Sequence, residues 1–231
     1  MAERPGRSEI SGYARECIRE DEEFILYRAH ANTAEVPSIL LLTPASMRPR
    51  LECLKKIEHE YSLRRDFDSA WAVRPIALSR GNRREALVLD DLVVSFSIGA
   101  PMETRQFLRI AVGLSSAFCQ LHKQSLVHKD PKPSSVLVDK ATGDAWKATG
   151  DAWLAGFGIA SRLPRERQPP GAPEFIAGPL PYMAPEHTGR MNRSIDSRID
   201  LYGLGPYRCG CFLNYDLRAR TDIMHLSRDR R

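Results

Sequence analysis

LVHKDPKPSSVLVDKATGDAWKATGDAWLAGFGIA, residues 126–160, carries its pattern around an insertion, because KATGDAW at residues 140–146 recurs unchanged at residues 147–153. Two copies of a seven-residue unit are too short and too few for a solenoid. Ala-Thr-Gly-Asp is good turn chemistry, and lengthening a loop costs little entropy, so the repeat reads as a local duplication in a turn between two strands. With one copy removed, a charged loop holding Asp130 and Lys132 leads into a short apolar strand over residues 135–139. A turn and a second strand then lead to Gly156-Phe157-Gly158.

Reading outward, EFILYRAH (residues 23–30) and SILLLT (38–43), separated by a turn-prone segment, predict a strand hairpin that opens the chain. Residues 50–67 place Leu51, Leu54, Ile57, Tyr61 and Leu63 at helical intervals among charges and predict an amphipathic helix. Residues 71–78 and 85–89 predict two more strands around Ser-Arg-Gly-Asn. Over residues 103–124, Phe107, Ile110, Ala111, Leu114, Phe118 and Leu121 keep the three-and-four spacing of a long buried helix. A mostly β half thus precedes a helical half, with an irregular Pro- and Gly-rich stretch over residues 163–185.

Composition bounds the function. At 231 residues, 42% hydrophobic and 27% charged, the chain is long enough to bury a substantial core. Its longest aliphatic run, residues 39–42, is far too short to span a bilayer, and its first ten residues lack a signal-like apolar stretch, so a cytoplasmic location is expected. The five scattered cysteines suit free thiols better than a disulfide framework; Cys209 and Cys211 lack a second ligand pair for zinc. Six arginines against three aspartates beyond residue 205 supply three of the five net positive charges. The body mixes acids and bases, as in ECLKKIEHEYSLRRDFD, which argues against a nucleic-acid partner.

His128-Lys129-Asp130, followed by Lys132 and by Ser135, resembles the protein-kinase pattern H-R-D-x-x-x-x-N with serine at the asparagine position. Gly156-Phe157-Gly158 falls where D-F-G belongs: it lies twenty-one residues after Ser135, fourteen with one repeat copy removed. Ala184-Pro185-Glu186 matches A-P-E, and Asp200-Leu201-Tyr202-Gly203 looks like the start of the large central helix of the kinase C-lobe. Four landmarks in order form a specific signal. GFGIASRLPRERQ and YMAPEHTGRMNRSIDSRIDLYGLG are further similar to the kinase-like module found N-terminal in large bacterial and fungal multidomain sensor histidine kinases.

This resemblance implies an α+β, protein-kinase-like two-lobe fold with a small β-rich N-lobe and an incomplete, mostly helical C-lobe. The implied division is a disordered N-terminus (1–12), an N-lobe (13–91), a partial C-lobe with catalytic loop and activation segment (92–205) and a non-family tail (206–231), as in a C-terminally truncated product. Pro206 is expected to stop or kink the central helix, because proline lacks the backbone donor and clashes with the preceding turn. Apolar surface on the incomplete lobe would then favour self-association.

By resemblance, Asp130 orients the attacking hydroxyl and Lys132 steadies the transferring phosphoryl group. Leu137 lies beneath an adenine, residues 87–91 with Asp90 form the hinge, and Glu60 stands where the partner of the strand lysine belongs. The departures concentrate on charge. Leu42 or Thr43 replaces that lysine, no glycine-rich loop precedes Glu23, and Pro179 takes the place of a threonine that hydrogen-bonds the catalytic loop. Ser135 offers a metal only a hydroxyl, and Gly156 offers it nothing. ATP binding is expected to be weak and Mg2+ binding crippled. Two functions follow: ATP-dependent phosphoryl transfer to protein Ser or Thr, and a catalytically inactive pseudokinase acting as a regulatory protein-binding module.

Overall fold

The computed structural model describes residues 13–31, 36–81, 84–91, 104–138, 152–163, 183–188 and 196–213. The first half is a five-stranded antiparallel sheet in the order β1-β2-β3-β5-β4. Its strands are β1 (Ala14–Glu20), β2 (Phe24–His30), β3 (Ile39–Pro44), β4 (Pro75–Gly81) and β5 (Arg84–Asp90). Every residue of β3 is buried, as its aliphatic sequence requires of a central strand. The predicted hairpin is therefore β2 and β3, but it does not open the sheet. β1 does, as a largely exposed edge strand whose polar sequence ARECIRE carries no alternation to betray it.

Helix α1 (Leu51–Ser62) connects β3 to β4 and buries Cys53, Ile57 and Glu60, spaced four and three residues apart. This face differs from the expected Leu51–Leu54–Ile57 stripe: Leu51 is exposed, and a carboxylate occupies the buried position. The helix also ends at Ser62, short of the predicted residue 67; Leu63, Phe67 and Trp71 continue in turns and dock in the lower core. Residues 71–74 are not strand, except that Ala72 forms a single parallel bridge to Leu154. This bridge, with Val73 N–H donating to Leu154 and Leu154 N–H to Trp71 at 2.9 Å, joins the two halves.

The second half is built on α2 (Thr104–Lys123). Ile110, Leu114, Phe118 and Leu121 are buried on one side, as predicted; the side chain of Phe107 lies outside the described residues. Around α2 sit β6 (Leu126–Val127) with β9 (Ser161–Arg162), and β7 (Val136–Val138) with β8 (Ala152–Leu154), each pair antiparallel. The predicted strand at residues 135–139 is β7, preceded by a 3-10 turn over Pro133–Ser135. The second repeat copy contributes Ala152 and Trp153 to β8; the remainder of the duplication lies outside the described residues.

Helix α3 (Arg198–Leu213) continues through Pro206, so the helix does not stop there as one of the two expected outcomes had it. Proline removes one i to i−4 bond, here the one that would reach the Tyr202 carbonyl, and the bonds on either side hold the helical run. The lower core joins Phe118, Leu121, Val136, Leu154 and Phe157, and the upper core joins Leu40, Leu42, Ile57, Leu87 and Leu137. A β-rich lobe followed by a helical one, joined edge to edge, is the two-lobe kinase-like α+β arrangement.

Candidate active site between the lobes

The catalytic loop is shaped from below. Ser125, at φ 58°, terminates the α2 turn, and β6 then carries the chain to His128, which is fully buried. His128 Nε2–H donates to the Ala155 carbonyl at 3.1 Å, and Nδ1 accepts the Asp130 N–H at 3.3 Å. A ring that donates at one nitrogen and accepts at the other is neutral, and burial lowers its pKa in the same sense. Asp200, also fully buried in the first turn of α3, accepts the backbone N–H groups of His128 and Lys129 and the Nε2–H of His122, each at 2.9 Å. Lys129 sits at φ 69°, a left-handed conformation that costs a non-glycine residue about 1–2 kcal/mol. A hydrogen bond to a charged acceptor contributes about 1.5–3 kcal/mol, so the bond to Asp200 is enough to hold that strain.

Asp130 and Lys132 are brought together: Lys132 Nζ lies 2.8 Å from Asp130 Oδ2, with both side chains partly exposed. Ser135 and Gly156 are brought together as well, since a Cβ on Gly156 would stand 3.4 Å from Ser135 Oγ. The two residues thus face each other across the site. Neither fits a metal. Ser135 is buried and its hydroxyl donates to the Asp130 carbonyl at 3.0 Å, while Gly156, at φ 79°, has no side chain. A hard divalent cation needs several oxygen ligands, and no group of three His, Cys, Asp or Glu residues capable of holding one exists among the described residues.

The following turn is fixed by packing. Phe157 is fully buried, stacked on Phe67 at 4.2 Å between centroids and against His128 at 4.8 Å. Gly158 is required sterically, because a Cβ there would lie 2.8 Å from Lys56 Cβ on α1. His59 reaches the same segment, with Nε2–H donating to the Ala160 carbonyl at 2.6 Å. α1 is thereby clamped to the start of the activation segment. Ala184, next to the A-P-E proline, packs with Val127 and Ile199; Pro179 lies outside the described residues.

The described residues of the upper wall place other groups at the positions singled out for holding phosphate. Leu42 is buried in the upper core and Thr43 donates toward the Ile25 carbonyl at 3.5 Å, so β3 presents no cation. In the β1–β2 turn, Asp21 Oδ1 accepts the N–H groups of Glu23 and Phe24 at 3.0 and 2.8 Å, which withdraws donors that a glycine-rich loop would offer to phosphate. Glu60 is only 2% exposed. Burial pushes its pKa up to about 7, against the opposing pull of the Phe157 and Gly156 N–H groups and of the Arg19 charge.

Leu137 is fully buried in β7 beneath the upper core. Asp90 ends β5, pairs with Ile39 and borders a groove lined by Arg64, Arg65, Arg74, Pro75 and Ile76. The neighbouring Asp91 is the structural acid of that strand end, its buried carboxylate bound by Arg28 Nε at 2.8 Å and Ser38 Oγ at 2.7 Å. Three contributors escaped the sequence reading. His122 and the anchoring role of Asp200 show only when α2 and α3 pack, and Arg19 belongs to the unanticipated β1.

The fold and this constellation define a kinase-like domain. The family model for the protein kinase domain matches residues 82–216, more than half of the chain, and the chain belongs to that family. It is 30% identical over 117 residues to serine/threonine-protein kinase Pkn1 of Myxococcus xanthus, covering 51% of this chain and 16% of that protein. It is 32% identical over 111 residues to human receptor-interacting serine/threonine-protein kinase 1, covering 46% and 16%. Over 198 residues it is 26% identical to lectin-domain containing receptor kinase VI.4 of Arabidopsis thaliana, covering 78% and 26%. The chain thus spans between a sixth and about a quarter of the length of these relatives. No helix among the described residues is long and apolar enough to cross a membrane.

Proposed function

We propose that this domain is a pseudokinase of the serine/threonine class: a signalling module that keeps the kinase frame and its catalytic loop but has lost magnesium-dependent phosphoryl transfer. One observation carries the reading. The two side chains that should grip the metal are a glycine and a serine whose hydroxyl is already bound to the Asp130 carbonyl. Phosphoryl transfer depends on positioning and on neutralising charge in the transition state, so Asp130 and Lys132 alone leave the largest requirement unmet. ATP enters this reading as a weak ligand held by apolar contact near Leu137. The sequence runs at residues 156–168 and 182–205 support a place in a multidomain sensor histidine kinase, where the domain would regulate through protein contacts.

A residual Ser/Thr phosphotransferase is the competing function, favoured by the 2.8 Å Asp130–Lys132 pair and the Asp200-anchored loop. Protein-directed transfer from ATP, measured for the native chain and for Asp130→Asn, separates the two. The pseudokinase predicts the same background rate for both. A clear drop on substitution would overturn it.

A further inference from the structure

Between Cys17 and Arg19 the register of β1 against β2 slips by one residue, so that Cys17 faces Tyr27 and Arg19 faces Leu26. Such a bulge re-aims side chains. Ile18 packs on the upper apolar cluster, and the Arg19 side chain is left 20% exposed. Its guanidinium leaves the small lobe: Nη1 donates to the Ser134 carbonyl in the catalytic loop, and Nη2 lies 3.8 Å from Asp21 Oδ2. The carboxylates of Glu60 and Asp130 act on the same charge. Arg19 Nε is buried with no hydrogen-bond partner among the described residues, and so is Glu60 Oε1. An orphaned donor and an orphaned acceptor that share one electrostatic neighbourhood are complementary.

We propose that Arg19 is the positioning cation of this site: aimed by the β1 bulge, it takes the place of the missing strand lysine as counter-ion to Glu60 and ties β1 to the catalytic loop through Ser134. The site is then ordered without nucleotide or metal, which is what a pseudokinase needs. This inference rests on the pseudokinase reading and deepens it. Arginine suits the task, since it stays charged when buried and its fork can serve the carbonyl and the carboxylates together. The turn it comes from, Glu20–Asp21–Glu22–Glu23, is acidic, so the local field favours an internal cation over an incoming polyphosphate.

The test follows two readouts in the full chain and in Arg19→Ala, Arg19→Lys and Cys17→Ala. Carboxyl-carbon NMR, with Glu60 assigned through Glu60→Gln, should show its midpoint rising by about one pH unit in Arg19→Ala and returning toward the native value in Arg19→Lys. Amide hydrogen exchange at residues 134–136 should quicken about tenfold or more in Arg19→Ala, the loss expected for a charged hydrogen bond, and stay native in Cys17→Ala. An unmoved Glu60 midpoint, or unmoved exchange at those amides, overturns the proposal. A simply misfolded variant would speed exchange throughout the sheet; in that case the Glu60 midpoint of Arg19→Lys decides, since it must stay near the native value. Magnesium-dependent transfer by the native chain would sink the pseudokinase reading alone, leaving the Glu60 midpoint to judge Arg19.

Discussion

Glu60→Gln tests the electrostatics of the site through stability. The Glu60 carboxyl moves from an ordinary 4.5 to about 7 on folding, chiefly because burial disfavours its charge. Between those values the native state holds a proton that the unfolded chain has released, so stability falls as pH rises through this window. At 1.36 kcal/mol per pH unit, the ionised form costs about 3 kcal/mol above pH 7. Glutamine cannot ionise. Urea unfolding of both proteins at pH 5 and pH 8 should therefore show Glu60→Gln gaining about 2.5 kcal/mol relative to the native chain between the two conditions, whatever its constant offset. Parallel pH profiles for the two proteins would refute the reasoning, because they would mean that Glu60 titrates alike folded and unfolded.

Three other variants probe the frame. Gly158→Ala forces a Cβ to within 2.8 Å of Lys56 Cβ and 3.3 Å of its carbonyl, and should cost about 1–3 kcal/mol in thermal or urea unfolding. Asp200→Ala strips the acceptor from two backbone N–H groups and His122, and should cost about 3–5 kcal/mol while speeding amide exchange at His128 and Lys129. Ser135→Asn combined with Gly156→Asp should create magnesium-dependent ATP binding before any transfer activity appears. Aspartate tolerates the φ of 79° better than most residues, at a cost of about 1–2 kcal/mol. ATP titrations with and without Mg2+ that coincide for this double variant would show that the two positions do not form a metal site.

The sequence was most legible where burial and motif spacing coincide. Ile110, Leu114, Phe118 and Leu121 announce α2 through their period, and removal of one repeat copy places Gly156 against Ser135, as the 3.4 Å approach shows. Strand β1 was hidden because an edge strand with one exposed face and a bulge has no reason to alternate. Arg19 was hidden with it, since its direction depends on a register slip that no local pattern encodes. In α1 the apolar spacing over Leu51, Leu54, Ile57 and Tyr61 does not include Glu60, and only tertiary packing shows it on the buried Cys53–Ile57 face. At Pro206 the expected alternatives were a stop or a kink, and the stop does not occur, because the helix absorbs one missing bond.

The central claim, that the kinase frame here is without a working metal site, is tested most directly by calorimetric titration of the native chain with ATP, in magnesium and in EDTA. Because Ser135 Oγ is bound to the Asp130 carbonyl and Gly156 has no side chain to offer, the two isotherms should coincide whatever the ATP affinity. Tightening of ATP by magnesium of about tenfold or more, roughly 1.4 kcal/mol, would contradict it.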